Sequence, residues 1–323
     1  MLERFFSKEE IRRITRSIIN LPTLPTVVAK MLEMLDNPKT SAAQLSRLIS
    51  GDQVLTAKVL RLANSAFYAF PQPISTVNLA VVVLGFDVVK NLVIGISVIE
   101  SFSKEADGYF DVMRFWEHSI GCGVAARMLA RMYGYQVSGE AFTAGLLHDI
   151  GKLVMREHLK VEFLEVLGKV QQGKTFLEAE EELLGVTHAE IGNWLAERWN
   201  FPVVLQEAIL CHHRPGEARK EPMLAAIVHF ADVICKHAEV GFSGDHVKPP
   251  LDEAVYDVLS PKLTEEGEVD MGFYVSKLRD EMERAEGFVS TILGKELEPS
   301  RGGPLGGDRF PEAGVAQDSG KVD

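Results

Sequence analysis

Cysteine is scarce in this chain, which contains three cysteines in 323 residues. Cys122, Cys211 and Cys235 are far apart, are odd in number, and each lies in an apolar pattern typical of a helix. Small secreted domains that rely on disulfides have more cysteines at closer spacing. We therefore expect three reduced, buried thiols, as in a cytoplasmic protein.

Positive charge is also in short supply. Lys and Arg number 34 against 46 Asp and Glu, so the formal net charge is −12 at pH 7. Such a chain repels a phosphate backbone unless its basic side chains gather in one patch, and no such patch is visible. Residues 44–68 resemble two short helices meeting at Gly51-Asp52, but the second helix offers only Lys58 and Arg61 as cations. Nucleic acid is therefore disfavoured as a partner.

The sequence lacks a convincing export signal or membrane span. The first residues, MLERFFSKEEIRR, mix acidic and basic side chains before any apolar run, unlike a secretory signal. The apolar stretch 77–99 carries Asp87, Lys90 and Asn91 near its centre, where charges are costly in lipid. We predict two buried helices broken at Gly85-Phe86-Asp87, no membrane association, and a cytoplasmic location.

Helix signals run from one end of the chain to the other, and no alternating strand pattern of any length occurs. Capping boxes pair a Ser or Thr with an acidic or amide residue three positions later, ahead of apolar residues at helical spacing. The residues predicted to begin helices are Ser7, Pro25, Ser41, Asp52, Asp111 and Thr187. The sequence therefore predicts an all-α fold.

A polar stretch at 103–108 separates two helical blocks. We predict an N-terminal helical domain over residues 1–105 and a second helical domain over residues 106–293. Residues 294–323 are rich in Gly, Pro and charge and are predicted to be a disordered tail. The apolar residues of 77–99 are more than a small block can hide from water, so the first domain is expected to pack against the second.

The strongest chemical signal is His148-Asp149, inside the apolar segment LLHDIGK. Burying a carboxylate without a partner is costly, so a compensating group is required. One possibility is a divalent metal, which adjacent side chains on one helix can reach together. The alternative, favoured if the dipeptide stood alone, is a buried salt bridge or hydrogen-bonded network.

Further imidazoles and a carboxylate lie in separate predicted helices of the second block: His118, His188, His212, His213 and Asp232. Each has an ordinary explanation. His118 suits a helical core, and the His pair suits the negative end of a helix dipole. His188 lies in the first turn of a predicted helix, where an imidazole is commonly solvent-facing or structural. Asp232 has apolar neighbours in sequence, so it needs a partner. Taken together, the ordinary explanations are less convincing than a metal-binding cluster.

With this set of residues, the segment 110–237 resembles an HD domain, in which the metal ligands occur in the order His, His-Asp, Asp. The resemblance assigns that order to His118, His148, Asp149 and Asp232. His188, His212 and His213 match the positions that hold a second metal in the HD-GYP branch, which cleaves cyclic dinucleotides. The Gly-Tyr-Pro segment of that branch is replaced here by Arg214-Pro215-Gly216-Glu217, which disfavours cyclic-dinucleotide cleavage.

The first block resembles HDOD proteins through the segments LPTLP at 21–25, ISGDQ at 49–53, LANSAFY at 62–68 and VLGFDVVKNL at 83–92. The resemblance covers about residues 7–290. It implies a bacterial signalling or output module, of a family whose HD site is frequently eroded and whose catalytic activity is not established.

Two functions are consistent with this resemblance. The first is a signal-transduction module that acts through an unidentified protein partner or a nucleotide ligand. The alternative is a metal-dependent phosphohydrolase or phosphodiesterase acting on a nucleotide or cyclic dinucleotide. In the enzyme, Asp149 would bridge two ions and Lys152 would steady a phosphate, unless Lys152 is simply a solvated lysine. The His- and carboxylate-rich ligand set favours one or two divalent transition-metal ions, with iron or manganese preferred over a closed structural zinc.

Overall fold

A computed structural model describes residues 24–35, 41–102 and 108–294. The helix start predicted at Ser7, the polar segment 103–107 and the predicted tail beyond Gly294 lie outside the described residues. The predicted domain boundaries therefore stay predictions.

The described residues form an all-α structure, as predicted. They contain no β-strand, and a single isolated antiparallel bridge joins Leu263 to Val269. The helices before residue 103 are α1 (Thr26–Leu35), α2 (Ala42–Ser50), α3 (Gln53–Ala63), α4 (Val77–Leu84) and α5 (Phe86–Ser101). Those after residue 107 are α6 (Val112–Tyr133), α7 (Ser138–Leu147), α8 (Ile150–His158), α9 (Lys160–Val170), α10 (Phe176–Leu183), α11 (His188–Arg198), α12 (Val203–Cys211), α13 (Pro222–Ala238), α14 (Glu253–Leu259) and α15 (Met271–Leu293), with a short 3-10 turn at Pro215–Glu217.

The predicted caps begin these helices where the sequence indicated. At α2, the Gln44 backbone N–H donates to Ser41 Oγ (3.3 Å) and the Ser41 N–H donates to Gln44 Oε1 (2.7 Å), which completes a capping box. The same reciprocal arrangement at Thr187 begins α11. Asp52 and Asp111 cap α3 and α6 through their carboxylates. These caps satisfy N–H groups that have no partner inside the helix.

The apolar stretch 77–99 forms two helices, as predicted. Gly85 separates α4 from α5 with φ at 94°, a conformation that favours glycine, and the two helices are bent by 120°. Every residue of α5 from Val89 to Ile99 is buried. Within the described part of the chain no single helix is long and apolar enough to cross a membrane, and only this bent pair has the necessary length and composition when its members are combined.

The long helix α6 lies at the centre of the molecule and is buried along most of its length. A Cβ atom on Gly123 would come within 2.8 Å of the Phe142 carbonyl, and one on Gly145 within 2.6 Å of the Cys122 carbonyl. These glycines therefore allow α6 and α7 to approach backbone to backbone. That approach brings the end of α7 close to the middle of α6.

Helices from before and after residue 103 are in direct contact. A Cβ on Gly95 of α5 would meet Leu146 of α7 at 2.8 Å, and one on Gly139 of α7 would meet Asn91 of α5 at 3.2 Å. Close packing through small residues leaves little room for relative movement. The N-terminal helices thus rest on the helix that leads to His148.

Candidate metal centre

His148 and Asp149 lie in a break between two helices. α7 ends at Leu147, Asp149 has φ −96° and ψ 7°, and α8 begins at Ile150. The sequence interpretation, which placed both residues on one continuous helix, is wrong at this point. The break turns both side chains toward the same buried centre, where each is at most 1% exposed.

A close contact between α8 and α11 brings His188 to the same place. A Cβ on Gly151 would lie 1.9 Å from the His188 carbonyl oxygen and 2.8 Å from the Gly192 nitrogen. Only a residue without a side chain fits there. His188 is completely buried, so of its two ordinary explanations the solvent-facing one is wrong.

The structure gathers all seven predicted ligands into one region, in two groups of donor atoms. Within each group the donor atoms lie within 4.8 Å of one another. The first group is His118, Cys122, His148 and Asp232, and the second is Asp149, His188, His212 and His213. The His148 Nε2 atom lies 3.4 Å from Asp149 Oδ2 and links the two groups.

Several distances within the groups fit shared ligation of an ion, and the shortest is the 2.9 Å between His188 Nε2 and His213 Nε2. His118 Nε2 lies 3.0 Å from Asp232 Oδ1, and His188 Nε2 lies 3.0 Å from Asp149 Oδ1. His212 Nε2 is 3.6 Å from the same Asp149 oxygen. Ligands at about 2 Å from one ion have mutual distances of this size.

Most of these imidazoles have their second nitrogen engaged by an oxygen. The Nδ1 atom of His148 contacts the Gly145 carbonyl at 2.7 Å, and that of His212 contacts the Ile209 carbonyl at 2.7 Å. His118 Nδ1 lies 3.2 Å from the Val240 carbonyl. An Nδ1–H that donates to oxygen leaves Nε2 as a lone pair, which is the form that binds a metal. The Nε2 atoms of these three imidazoles therefore face the centre, and each offers its lone pair to a metal once any proton on it is released. Without a metal, burial alone would lower the pKa of His118, but the neighbouring Cys122 and Asp232 raise it to about 9.

Two of the central atoms lack a hydrogen-bond partner among the described residues: His148 Nε2 and Asp149 Oδ1. Buried polar atoms are normally satisfied, so a group that completes them is expected. A divalent transition metal satisfies a lone pair and a carboxylate oxygen at once. The residues present therefore fit such an ion, and His118, His148, Asp149, His188, His212, His213 and Asp232 would hold it or a pair of ions.

The electrostatics of two of the three imidazoles in the second group also suit metal binding. For the third, His188, burial alone would lower the pKa, but the Glu180 carboxylate raises it. Burial lowers the pKa of His212 to about 4 and lowers the pKa of His213 well below its usual range. Both imidazoles are therefore neutral at pH 7. Burial alone would raise the pKa of Asp149, but the charges of His148 and Lys152 hold it well below the usual range, so Asp149 is a carboxylate.

Lys152 is buried and ion-paired. Its Nζ donates to Asp149 Oδ2 at 2.7 Å and to the Ser243 carbonyl at 2.9 Å, and the side chain is 1% exposed. The interpretation of Lys152 as a solvated lysine is therefore wrong. Its assignment to a phosphate remains a prediction.

Three residues close to the centre were not assigned to it from the sequence. Glu180 accepts from the His188 backbone N–H (3.0 Å) and its Oε2 lies 2.6 Å from His188 Nδ1, which orients that imidazole. Lys236 Nζ lies 3.3 Å from Asp232 Oδ2. The Cys122 thiol, expected to be only a small core residue, lies 3.3 Å from His118 Nε2.

For Lys236 and Glu180, helical spacing in the sequence was the feature that could have indicated a position near the centre. Lys236 follows Asp232 by four positions, and Glu180 shares one face of α10 with the buried residues Phe176 and Ala179.

The centre is enclosed. Segment 243–249 covers it, held by Lys152 at the Ser243 carbonyl and by the Phe176 N–H, which donates to Asp245 Oδ2 at 3.0 Å. A cavity of about 70 Å³ beside the centre is lined in part by Lys152, His188 and Lys236. Two larger cavities each reach one donor residue, one of about 190 Å³ at His118 and one of about 480 Å³ at His213. Ordinary small-molecule sites occupy roughly 300–1,000 Å³.

Residues 21–215 match the HDOD domain family, which is more than half of the chain. The chain belongs to the HDOD family. The resemblance noted in the sequence is thereby confirmed. Of the seven predicted ligands, Asp232 alone lies beyond the matched residues.

Relatives of this HDOD protein are found in several bacteria. A Treponema pallidum (strain Nichols) protein, named only as uncharacterized, is 27% identical over 222 residues, which make up 66% of this chain and 42% of that protein. The HDOD chain thus spans less than half the length of that relative.

Solved structures with the same fold align with most of this chain. An HDOD domain protein from Geobacter sulfurreducens is 28% identical with a TM-score of 0.69, covering 88% of this chain and 98% of that one. A candidate phosphohydrolase from Shewanella amazonensis SB2B is 29% identical with a TM-score of 0.66, covering 87% and 97%. A candidate signal transduction protein from Marinobacter aquaeolei VT8 shares the fold. It is 24% identical with a TM-score of 0.67, and the alignment covers 89% of this chain and 65% of that one.

Proposed function

We propose that this HDOD protein is a signalling module in which a buried metal centre fixes the arrangement of the helices, and a partner or ligand responds to that arrangement. The observation that carries the proposal is the enclosure of the centre. The donor residues are buried except for His213, and the cavity of about 70 Å³ among Lys152, His188 and Lys236 is too small for a nucleotide. A cavity of about 480 Å³ is large enough, but His213 is the one donor residue that lines it. An ion fits the small cavity, whereas a substrate in the larger one would reach the other donor residues only after His213 or segment 243–249 moved.

The N-terminal helices are in a position to transmit the state of the centre. Leu146 of α7 packs against Gly95 of α5, two residues before His148. A change in how His148 is held therefore acts directly on the packing of α5. Coupling of this kind requires two arrangements of one packed contact, each favoured by a different state of the centre.

We propose a protein as the partner. The net charge of −12 disfavours nucleic acid, and a nucleotide ligand would have to bind outside the small central cavity or open it. The partner surface on this proposal belongs to the N-terminal helices, because they contact the helix that ends at His148.

The test is to purify the full chain without chelator, measure its metals by elemental analysis, and compare amide hydrogen exchange before and after metal removal. We expect one or two ions per chain, and faster exchange in α5 and α7 once the metal is removed. A protein that binds no metal, or whose α5 exchange is indifferent to metal, would contradict the proposal.

The second candidate function is a metal-dependent phosphohydrolase. The observation that favours it is the complete donor set, with Asp149 Oδ1 unpartnered among the described residues and Lys152 beside it. A bound metal would activate water and stabilise charge on a phosphoryl group. Asp149 would hold the metal. Lys152 would contact a phosphate oxygen, either by giving up its ion pair with Asp149 or while keeping it.

The enzyme hypothesis is tested by incubating the metal-loaded protein with bis(p-nitrophenyl) phosphate and with cyclic dinucleotides. Turnover that disappears in Asp149→Ala and with chelator would establish phosphodiesterase activity and displace the signalling proposal. We expect no turnover above that of the metal ion in buffer.

A further inference from the structure

We infer that Cys122 is a ligand of the first metal position, together with His118, His148 and Asp232. This inference rests on the proposed metal binding and specifies the chemistry of one half of the centre. It assigns to that half a mixed nitrogen, sulfur and oxygen donor set that selects a thiolate-binding ion such as zinc.

The donor atoms are already close to the spacing that such an ion needs. Cys122 Sγ lies 3.3 Å from His118 Nε2, which lies 3.0 Å from Asp232 Oδ1, and His148 Nε2 lies 3.8 Å from that same oxygen. Ligands in a zinc tetrahedron, with bonds of about 2.0–2.3 Å, are separated by roughly 3.3–3.8 Å. All four donor atoms lie within 4.8 Å of one another, so small rotations bring them onto one ion.

The backbone places the Cys122 thiol on this face of α6. Cys122 follows His118 by four positions, so both side chains lie on the same side of the helix. The close approach of Gly145 to the Cys122 carbonyl holds that part of α6 against α7. The thiol, 3.3 Å from His118 Nε2, thus lies on the part of α6 that packs against the helix ending at His148.

An independent observation indicates a ligand at this position. His148 is completely buried, and its Nε2 has no hydrogen-bond partner among the described residues, although Nδ1 is satisfied by the Gly145 carbonyl. An imidazole fixed in this way presents a lone pair to the first group. A metal ion would complete this nitrogen and would bind the Asp232 carboxylate in addition to the contacts that Asp232 makes with His118 (3.0 Å) and Lys236 (3.3 Å).

Asp149 is engaged elsewhere, which leaves a place for Cys122. The Asp149 Oδ2 atom pairs with Lys152 at 2.7 Å, and Oδ1 faces His188 at 3.0 Å and His212 at 3.6 Å. Asp149 Oδ2 also lies 3.4 Å from His148 Nε2, so Asp149 meets the first group only through the oxygen that Lys152 already holds. The first group then has four ligands from the protein, and a site closed by four protein ligands including a thiolate is typical of structural zinc.

The inference changes the ion expected at the first position and its task. Iron or manganese was expected from histidines and carboxylates alone, whereas a thiolate favours a softer ion. Such an ion would tie the middle of α6, the end of α7 and the middle of α13 together. The second group keeps the half-buried His213 and remains the more accessible half.

The test uses the full chain loaded with cobalt(II), which replaces zinc and gives an intense near-ultraviolet charge-transfer band only when a thiolate is bound. We expect the band in the wild-type protein, its loss in Cys122→Ser, and its retention in Cys211→Ser and Cys235→Ser. Cys211 lies in a separate apolar cluster, and Cys235 is the neighbouring thiol that hydrogen-bonds to Cys122. We also expect affinity for the first zinc ion to fall in Cys122→Ser by more than the roughly 10- to 100-fold that loss of an outer partner costs.

A measurement on the wild-type protein tests the role of Cys122 even if the Cys122→Ser variant fails to fold. X-ray absorption of the zinc-loaded wild-type protein should show a sulfur ligand at about 2.3 Å. Bound metal with nitrogen and oxygen ligands only overturns the role of Cys122 and leaves the proposed metal binding standing. A band that survives Cys122→Ser also overturns it, and a chain that binds no metal overturns both proposals.

Discussion

Asp149 is the carboxylate around which the second donor group is arranged, and its two oxygens face different partners. One oxygen is paired with Lys152, and the other is directed at His188 and His212 without a hydrogen bond. A buried carboxylate in this position contributes more than charge balance, because it fixes which imidazoles can share an ion. Replacement of Asp149 should therefore affect metal binding, whereas replacement of an exposed acid should not.

Asp149→Ala should abolish metal binding at the second group and leave Lys152 as an unpaired buried cation. In the wild-type protein, metal at 100 times its Kd should stabilise the fold by about 2.7 kcal/mol, and this gain should be absent from the variant. Thermal unfolding with and without metal, together with elemental analysis, measures both effects. Asp257→Ala, at an exposed acid of α14, is the matched control. Unchanged metal content in Asp149→Ala would refute the assignment.

His229 gives a prediction about pH. Its Nδ1 contacts the His212 carbonyl at 2.7 Å, and its Nε2 accepts from the Asp252 backbone N–H at 3.0 Å. Burial lowers the pKa of His229, and only the neutral ring can accept from Asp252. Because the pKa is lower in the folded state, this stability is present above about pH 6.5, the unfolded value, and is lost as the pH falls.

His229→Phe should be less stable than the wild-type protein at pH 7 by about 1–3 kcal/mol, since two hydrogen bonds are lost. The difference should narrow as the pH is lowered from 7 to 5, because only the wild-type protein has this ring to protonate. Denaturant unfolding across this range, in the presence of chelator, gives the two curves. A difference in unfolding free energy that stays constant or grows as the pH falls would show that His229 is not held neutral.

At the scale of single elements, helix starts were predictable because a cap depends on residues within one turn. Ser41 with Gln44 and Thr187 with Glu190 form the boxes that their sequence spacing indicates. The break at His148-Asp149 was not predictable in this way, because it depends on α8 meeting α11 through Gly151. That contact joins segments distant in sequence, and no local pattern records it.

The same distinction, between what local sequence indicates and what packing of distant segments decides, applies to the residues of the candidate site. Histidines and carboxylates stood out because their burial is costly wherever they lie, and the structure brings all seven together. Glu180 is one of several acids in α10, and only the packing of Phe176 and Ala179 shows which one is buried. Cys122 was indistinguishable from an ordinary apolar residue of α6 until α13 placed Asp232 across from it.

The contact at Gly151 is therefore the most informative element to disturb. Gly151→Ala places a Cβ 1.9 Å from the His188 carbonyl, so α8 and α11 must separate. We expect a loss of stability and at least a tenfold loss of metal affinity, as for displaced outer partners. Gly168→Ala in α9 is the control, since its Cβ meets no atom within 4 Å and should stabilise the helix by about 0.5–1 kcal/mol. Equal metal affinity in the two variants would show that α8 and α11 need not be in contact.

At the scale of the whole molecule, the question is whether the helices before and after residue 103 unfold together. Phe67, in the turn after α3, packs its ring 4.7 Å from Phe288 of α15 and 5.9 Å from Phe142 of α7. Arg127 of α6 stacks on the same ring at 3.9 Å and donates to the Phe67 carbonyl at 3.2 Å. One side chain of the first block thus touches three helices of the second.

Phe67→Ala should lower the free energy of unfolding by about 3–5 kcal/mol and move one cooperative transition as a whole. The reason is that a ring buried between both blocks stabilises each of them only while they are in contact. Calorimetry, with circular dichroism as a second probe, should give coincident curves for the wild-type protein and for the variant. Phe70→Ala is the control, because Phe70 is 43% exposed and its loss should change little. Two separate transitions in the wild-type protein, with Phe67→Ala shifting only one, would mean that the blocks fold independently and that the metal centre cannot act on α5 through packing.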